Sequence, residues 1–247
     1  MTYRTKTYFT SDFHLGLKAI TEPLEREKRI VSWLEEIAPT AKEIFLLGDI
    51  FDFWWEYKKV VPRGFTRFLG TISKMTDNGI KIHFFTGNHD MWIRDYLSTE
   101  CGMITHTEPY TTIIDGKKFY LAHGDGLGTS DWKYKILLAI FHNKLLRKLY
   151  SLLHPCIGIG IGHRWSLNSR LGKGITTPFL GEDKEDLILY ANNYPKSENV
   201  DYFIFGHRHL PMTYQIDDKS QLVILGDWIK SNSYAVWDGE TLQLIND

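Results

Sequence analysis

Short apolar runs ending in Gly or Asp alternate along this chain with longer amphipathic stretches, which is the rhythm of a layered α/β domain. The runs predict strands near 6–12, 43–48, 80–86, 111–115, 118–123, 201–206, 221–226 and 233–237. Helical spacing predicts helices over 23–38, 63–78, 91–100 and 183–194, with two or more inside 131–170. Asp115-Gly116 and Asp238-Gly239 fall between β-rich runs, where such pairs suit type I′ turns, so the last third reads as antiparallel sheet. No internal repeat or low-complexity linker divides the 247 residues, and their 43% apolar content is enough for one large domain, 1–247.

Five polar clusters share one position, at or just past the end of an apolar strand. They are Asp12 and His14 in "SDFHLG", Asp49 and Asp52 in "LLGDIFD", Asn88, His89 and Asp90 in "FFTGNHD", His123 and Asp125 in "LAHGDG", and His207 and His209 in "IFGHRH". The crevice beyond the carboxyl ends of the strands is where layered α/β folds bind ligands. Asp12 and His14, like His207 and His209, are two apart, so in extended chain each pair projects to one side. Any one cluster alone reads as an ordinary strand-end turn, but five of the ten histidines fall in these clusters. His83, His106, His142, His154 and His163 are scattered and read as surface or core. Carboxylate, amide and imidazole donors without thiolates suit two hard or borderline divalent ions rather than a structural zinc. Two ions about 3.5–4 Å apart need a bridging carboxylate, with Asp49 the best candidate, and supply a nucleophile near neutral pH while clamping a phosphorus centre.

Composition excludes several other classes. A formal charge of −1 argues against a surface uniformly basic for nucleic acid. Cys101 and Cys156 cannot build a disulfide framework or a cysteine metal site, so a reducing, cytosolic compartment is expected. The N-terminus lacks a signal-peptide pattern, and no apolar run reaches the roughly 20 residues of a spanning helix, so neither export by that route nor membrane integration is expected.

The order and wording of the motifs, from Asp12 to His209, resemble the calcineurin-like metallophosphoesterase superfamily. The resemblance implies a four-layer αββα sandwich of two mixed sheets. It implies Asp12, His14, Asp49 and His209 around one ion, and Asp49, Asn88, His123 and His207 around the other. His89 then stands as proton donor to the leaving group with Asp90 orienting it, a task suited to an imidazole that titrates near neutrality. "SDFHLG", "GDIFDFWWEY", "GNHDMW" and "HGDGLGTSD" are similar, more closely, to the UDP-2,3-diacylglucosamine hydrolase family of lipid A biosynthesis, Bacteroidetes type. That family implies Mn²⁺, a lipid-linked UDP-sugar substrate, a cytoplasmic protein peripheral to the inner membrane, and a helical lid inserted at 127–182. Where many relatives carry Arg in the GNxD motif this sequence has His89, and an arginine stays charged at any relevant pH and cannot donate that proton.

The segment 132–181 holds eight Lys or Arg and no Asp or Glu, so it carries +8 while the rest of the chain carries −9. Within it, Leu137, Ile140, Phe141, Leu145, Leu149 and Leu152 recur at helical spacing. Two readings stand, a basic amphipathic helix lying on an anionic membrane or a helix packing its apolar face onto the core. Phe51, Phe53, Trp54, Trp55 and Tyr57 either line an apolar mouth or belong to the core. Asn168, Ser169, Arg170 and Lys173 offer contacts for a diphosphate, and Asp131 either meets the sugar or caps the following helix. A phosphodiesterase for nucleotides or another soluble ester is the alternative enzyme. A non-catalytic scaffold is disfavoured because every ligand position is filled.

Overall fold

Strand β1, Lys6–Thr10, sends Tyr8 to one face and Phe9 to the other, and that alternation organises the whole chain. A computed structural model describes residues 3–18, 21–128, 132–173 and 178–246. In β2, Ala41–Leu47, Ile44 and Leu46 join Tyr8 while Phe45 and Leu47 join Phe9; β3, Lys81–Phe85, divides in the same way. The Tyr8 face packs on helices α1, Pro23–Ile37, and α2, Thr66–Asp77. The Phe9 face meets a second sheet through Phe119, Leu121, Ile204 and Val223, with Phe9 stacked between Phe45 and Phe119 at 5.3 and 5.6 Å.

The first sheet runs β11-β10-β1-β2-β3-β4, where β4 is Ile104–His106, β10 Tyr234–Trp237 and β11 Leu242–Ile245. The second runs β5-β6-β7-β9-β8, with β5 Tyr110–Ile114, β6 Lys117–Ala122, β7 Tyr202–Phe205, β8 Met212–Gln215 and β9 Gln221–Ile224. Each mixes parallel and antiparallel pairs. The outer face of the second sheet is covered by α7, Asp186–Asn193, through Leu187, Ile188 and Ala191. The layers are therefore helix, sheet, sheet, helix, as the resemblance implied.

Several expectations are corrected. The last third is not one antiparallel sheet: β7 and β9 are parallel neighbours, while β10 and β11 form a hairpin on the other sheet. Asp115 and Gly116 both take positive φ, 48° and 83°, as a type I′ turn requires, but at the second pair only Gly239 does. There Asp238 instead accepts the amides of Glu240 and Thr241 across a longer loop. The helix expected over 91–100 shrinks to α3, Tyr96–Thr99, because Trp92 pairs with Trp55 in an isolated bridge.

Between β6 and α7 lie α4, Trp132–His142, α5, Lys144–Tyr150, and α6, Pro155–Lys173. The amphipathic stretch expected as one helix breaks at Asn143, whose side chain caps α5 by accepting from the amides of Leu145 and Leu146. No residue of α5 is buried; Leu145, Leu149 and Leu152 are 65%, 53% and 76% exposed. The aromatic run after Asp49 serves both roles proposed for it. Phe51 and Trp54 enter the core, whereas Phe53, Trp55 and Tyr57 form a separate cluster with Met91 and Trp92 under Leu138, Phe141, Tyr150 and Ile159.

Candidate active site

The five clusters do converge, but not through extended chain. Asp12, His14, Asp49, His207 and His209 take φ of 55°, 44°, 53°, 67° and 50°, a left-handed backbone that L residues rarely adopt. Loops that turn sharply at a strand end aim consecutive side chains into one small volume. They are stitched together by each other's backbone: the amides of Asp12 and His14 donate to Gly48 and Asp49 carbonyls at 3.0 Å, and the His207 and His89 amides donate to Asp12 Oδ2 and Asp49 Oδ1 at 2.9 Å. This closeness explains two motif glycines. A Cβ on Gly87 would stand 2.2 Å from Asp49 Oδ1, and one on Gly206 2.7 Å from Asp12 Oδ2.

Among the described residues three groups of donor atoms result, each with its atoms within 4.8 Å of one another: Asp12, His14 and His209; His14, Asp49 and His89; and Asp49, His123 and His207. Asp49 and His14 each belong to two. The Nε2 atoms of His14 and His209 face each other at 3.3 Å, and Asp49 Oδ2 lies 3.7 Å from His14 Nε2 and 3.4 Å from His123 Nε2. Asn88 Oδ1 stands 3.0 Å from His207 Nδ1 and 3.3 Å from His123 Nε2, so it belongs with the third group.

Two observations test whether divalent ions fit. Asp12 is wholly buried, yet its Oδ1 has no hydrogen-bond donor and points at the imidazoles of His14 and His209. The far nitrogens of the rings are anchored, His123 Nδ1 on the Leu47 carbonyl at 2.8 Å and His209 Nδ1 on Asp227 at 3.0 Å, which frees the near nitrogens to act as ligands. The residues fit. Without ions the site sets charge against charge. Burial raises Asp49, but the imidazoles of His123, His89 and His14 outweigh it and hold the carboxyl well below its ordinary value. Burial pushes His123 down, but Asp49, Asp12 and Asp125 together outweigh it and leave the ring well above the usual imidazole range. Burial and neighbouring His123 hold His207 far below it.

The orienting role expected of Asp90 falls elsewhere. His89 Nδ1 meets the Asp52 carbonyl at 2.9 Å. Asp90, buried away from solvent, accepts the amides of Ile50, Phe51 and Gly87 and so ties the two ligand loops together; burial first, then Asp49, pushes its carboxyl to about 7. Asp227 is a contributor the sequence reading passed over. It follows Gly226 after β9, as Asp49 follows Gly48 after β2, and that shared Gly-Asp pattern was the available signal.

A cavity of about 270 Å³ opens from Asn88, His89 and His207 and runs under α4 and α6 along Phe53, Met91, Trp92, Phe141 and Trp165. Leu137 and Phe141 therefore face inward, with Phe141 4.4 Å from Trp165 and 5.1 Å from Trp92. Of the polar residues expected here, Asn168 is exposed on α6 and does not line the cavity. Asp131 lies outside the described residues, as do the side chains of Ser169, Arg170 and Lys173. Two unexpected groups do line it: Ser166, buried with an unpartnered hydroxyl, and Arg208, whose guanidinium is held by the fully buried Glu185. His83 and His106 stand apart as a stacked pair, Nδ1 to Nε2 2.9 Å.

The chain is 44% identical to the UDP-2,3-diacylglucosamine hydrolase of Porphyromonas gingivalis, with 98% of this chain and 97% of that protein covered. It is 28% identical to the protein of the same name from Haemophilus influenzae, covering 91% of each, and 26% identical to that from Hahella chejuensis, covering 97% and 96%. Among solved structures it resembles a dimetal phosphatase from Danio rerio, at TM-score 0.49 and 14% identity over 99% of this chain and 96% of that one. The calcineurin-like phosphoesterase family matches residues 5–211, and the chain belongs to it.

Proposed function

We propose that the protein hydrolyses the pyrophosphate of UDP-2,3-diacylglucosamine to UMP and 2,3-diacylglucosamine 1-phosphate, in lipid A biosynthesis. The observation that carries this is the cavity in which the ligand cluster opens onto a wall of Phe53, Trp92, Phe141 and Trp165, since a small soluble ester needs no such apolar extension beside its phosphorus. The name shared by full-length relatives supports the same reading.

Asp12, His14, Asp49 and His209 would hold one ion, and Asp49, Asn88, His123 and His207 the other, with Mn²⁺ the expected metal. Two bound ions supply Lewis-acid charge and an activated water. His89, fixed at Nδ1 by the Asp52 carbonyl, presents Nε2 to the departing oxygen as its proton donor, while Asp90 keeps the loops carrying Asp49 and His89 in register. Residues 127–182, between β6 and α7, act as the lid, with Ser166 as its polar contact inside the cavity. The exposed Leu145, Leu149 and Leu152, interleaved with Lys144, Arg147 and Lys148, form an amphipathic basic surface suited to an anionic leaflet, which makes the protein a peripheral one on the cytoplasmic face. No described helix is long and apolar enough to cross a membrane.

The test is turnover by the purified protein under Mn²⁺ of UDP-2,3-diacylglucosamine and of a small chromogenic phosphodiester. Preference for the lipid is expected. Hydrolysis of the diester with no turnover of the lipid substrate would leave a soluble phosphodiesterase as the better reading.

A further inference from the structure

A second hollow, of about 280 Å³, lies on the other flank of the ligand cluster, at the carboxyl ends of β3, β4 and β6. Its chemistry differs from that of the cavity under the helices. His123 stands at its inner wall, and Thr86, His106, Thr107, Glu108 and Asp125 supply two hydroxyls, two carboxylates and an imidazole. His89 opens onto the cavity under the helices and His123 onto this hollow, with Asp49 in a donor group with each. The reacting phosphorus therefore has a chamber on either side, one walled by aromatic rings and the other carrying two carboxylates among apolar side chains.

We infer that the hollow beside His123 is the nucleoside subsite, which takes the uridine end of the substrate while its α-phosphate lies on the ligand cluster; this rests on the function proposed above. Two carboxylates repel phosphate, so the hollow suits the neutral part of a nucleotide. Carboxylates accept hydrogen bonds from the vicinal hydroxyls of a ribose, the same chemistry by which acidic side chains read that sugar in dinucleotide folds. His106 gives the wall an aromatic ring already set in a stack, with Phe85 at 4.4 Å and Tyr110 at 4.6 Å, and its Nε2 is engaged by His83, so the ring is fixed in place before a base arrives. The volume is enough for a nucleoside. The arrangement also gives the reaction a direction: the leaving acyl-sugar phosphate departs toward His89, and UMP is left on the His123 side.

The experiment is calorimetric titration of the Mn²⁺-loaded protein with UMP and, separately, with inorganic phosphate, for the wild type and for Glu108→Ala and Thr107→Val. UMP is expected to bind at least tenfold more tightly than phosphate to the wild type. Glu108→Ala should weaken UMP about 10–100-fold, as the loss of a hydrogen bond to a charged group does, with phosphate affinity unchanged as a report on the intact ligand cluster. UMP binding no tighter than phosphate in the wild type, or undiminished in both variants, overturns the subsite. Tight UMP binding by a protein that does not turn over UDP-2,3-diacylglucosamine upholds the nucleoside subsite and defeats the acylated substrate, so the two readings fail separately.

Discussion

The ligand cluster and the helices α4–α6 above it are built on opposite plans. At the cluster, loops from five strand ends share buried backbone and side-chain hydrogen bonds, and Asp12, His14, Asp49 and Asp90 are almost or entirely removed from solvent. The helices own little core of their own: α5 buries nothing, and Ile136, Ile140, Leu145, Leu149, Ile157 and Ile161 are all more than 40% exposed. A buried acceptor of charge is thus paired with a surface whose large apolar side chains face solvent. On the function proposed above, the difference teaches that chemistry and substrate choice are carried by separate parts of the chain, so that each should be open to damage without the other.

The largest effect should come from the rigid half. Asp49→Ala removes the carboxylate shared by two donor groups, so hydrolysis of every phosphoester should be abolished while circular dichroism stays native; retained turnover of any ester would break the assignment of a joint centre. Next comes His89→Ala, expected to slow esters with poor leaving groups by about 10²–10⁴-fold and activated aryl esters less. Equal losses on both would mean that His89 positions phosphate and donates no proton. Asp227→Ala leaves every donor in the cluster but unties the His209 ring, and should weaken metal affinity about 10–100-fold, read by titration with Mn²⁺.

The helices above the cluster give smaller and more selective effects. Leu145→Asp together with Leu149→Asp removes exposed side chains worth about 1.5–3 kcal/mol each in an apolar phase, so sedimentation with anionic vesicles should fall more than tenfold, with diacylated-substrate turnover following. Hydrolysis of a soluble diester should not change; a parallel loss would show that α5 is structural after all. The smallest effect lies in the acid limb of stability. Burial, then His106, lowers His83 from 6.5 to about 4, so the folded protein holds this ring neutral where the unfolded chain would protonate it. That contribution is complete above pH 6.5 and is lost as pH falls toward 4. Thermal melting of His83→Phe across this window should show a flatter decline than the wild type.

Much of this was legible because local pattern records which face of a strand is buried. The alternation of Ile44, Phe45, Leu46 and Leu47, with Asp49 just beyond, announces both a doubly covered strand and what sits at its end. Strands β4, β8 and β11 escaped because they are edge strands three or four residues long with no buried residue, so their apolar signal is weak. The helix break at Asn143 was hidden by an apolar period that continues across it. The role of Asp90 was misjudged for another reason: adjacency to His89 in sequence says nothing about which amides, some 40 residues away, will occupy a buried carboxylate. Partners across the fold are set by topology, and no local pattern carries them.

The left-handed backbone at five of the ligand positions has an evolutionary consequence. A side-chain-bearing residue in that conformation costs about 1–3 kcal/mol, and glycine would relieve it at each position. Selection for stability alone would therefore erase Asp12, His14, Asp49, His207 and His209, the very residues that furnish the donor atoms. Their presence in a chain otherwise so thoroughly packed is the mark of a purpose other than folding, and any library screened only for heat resistance should enrich glycine at these places and deliver inactive protein.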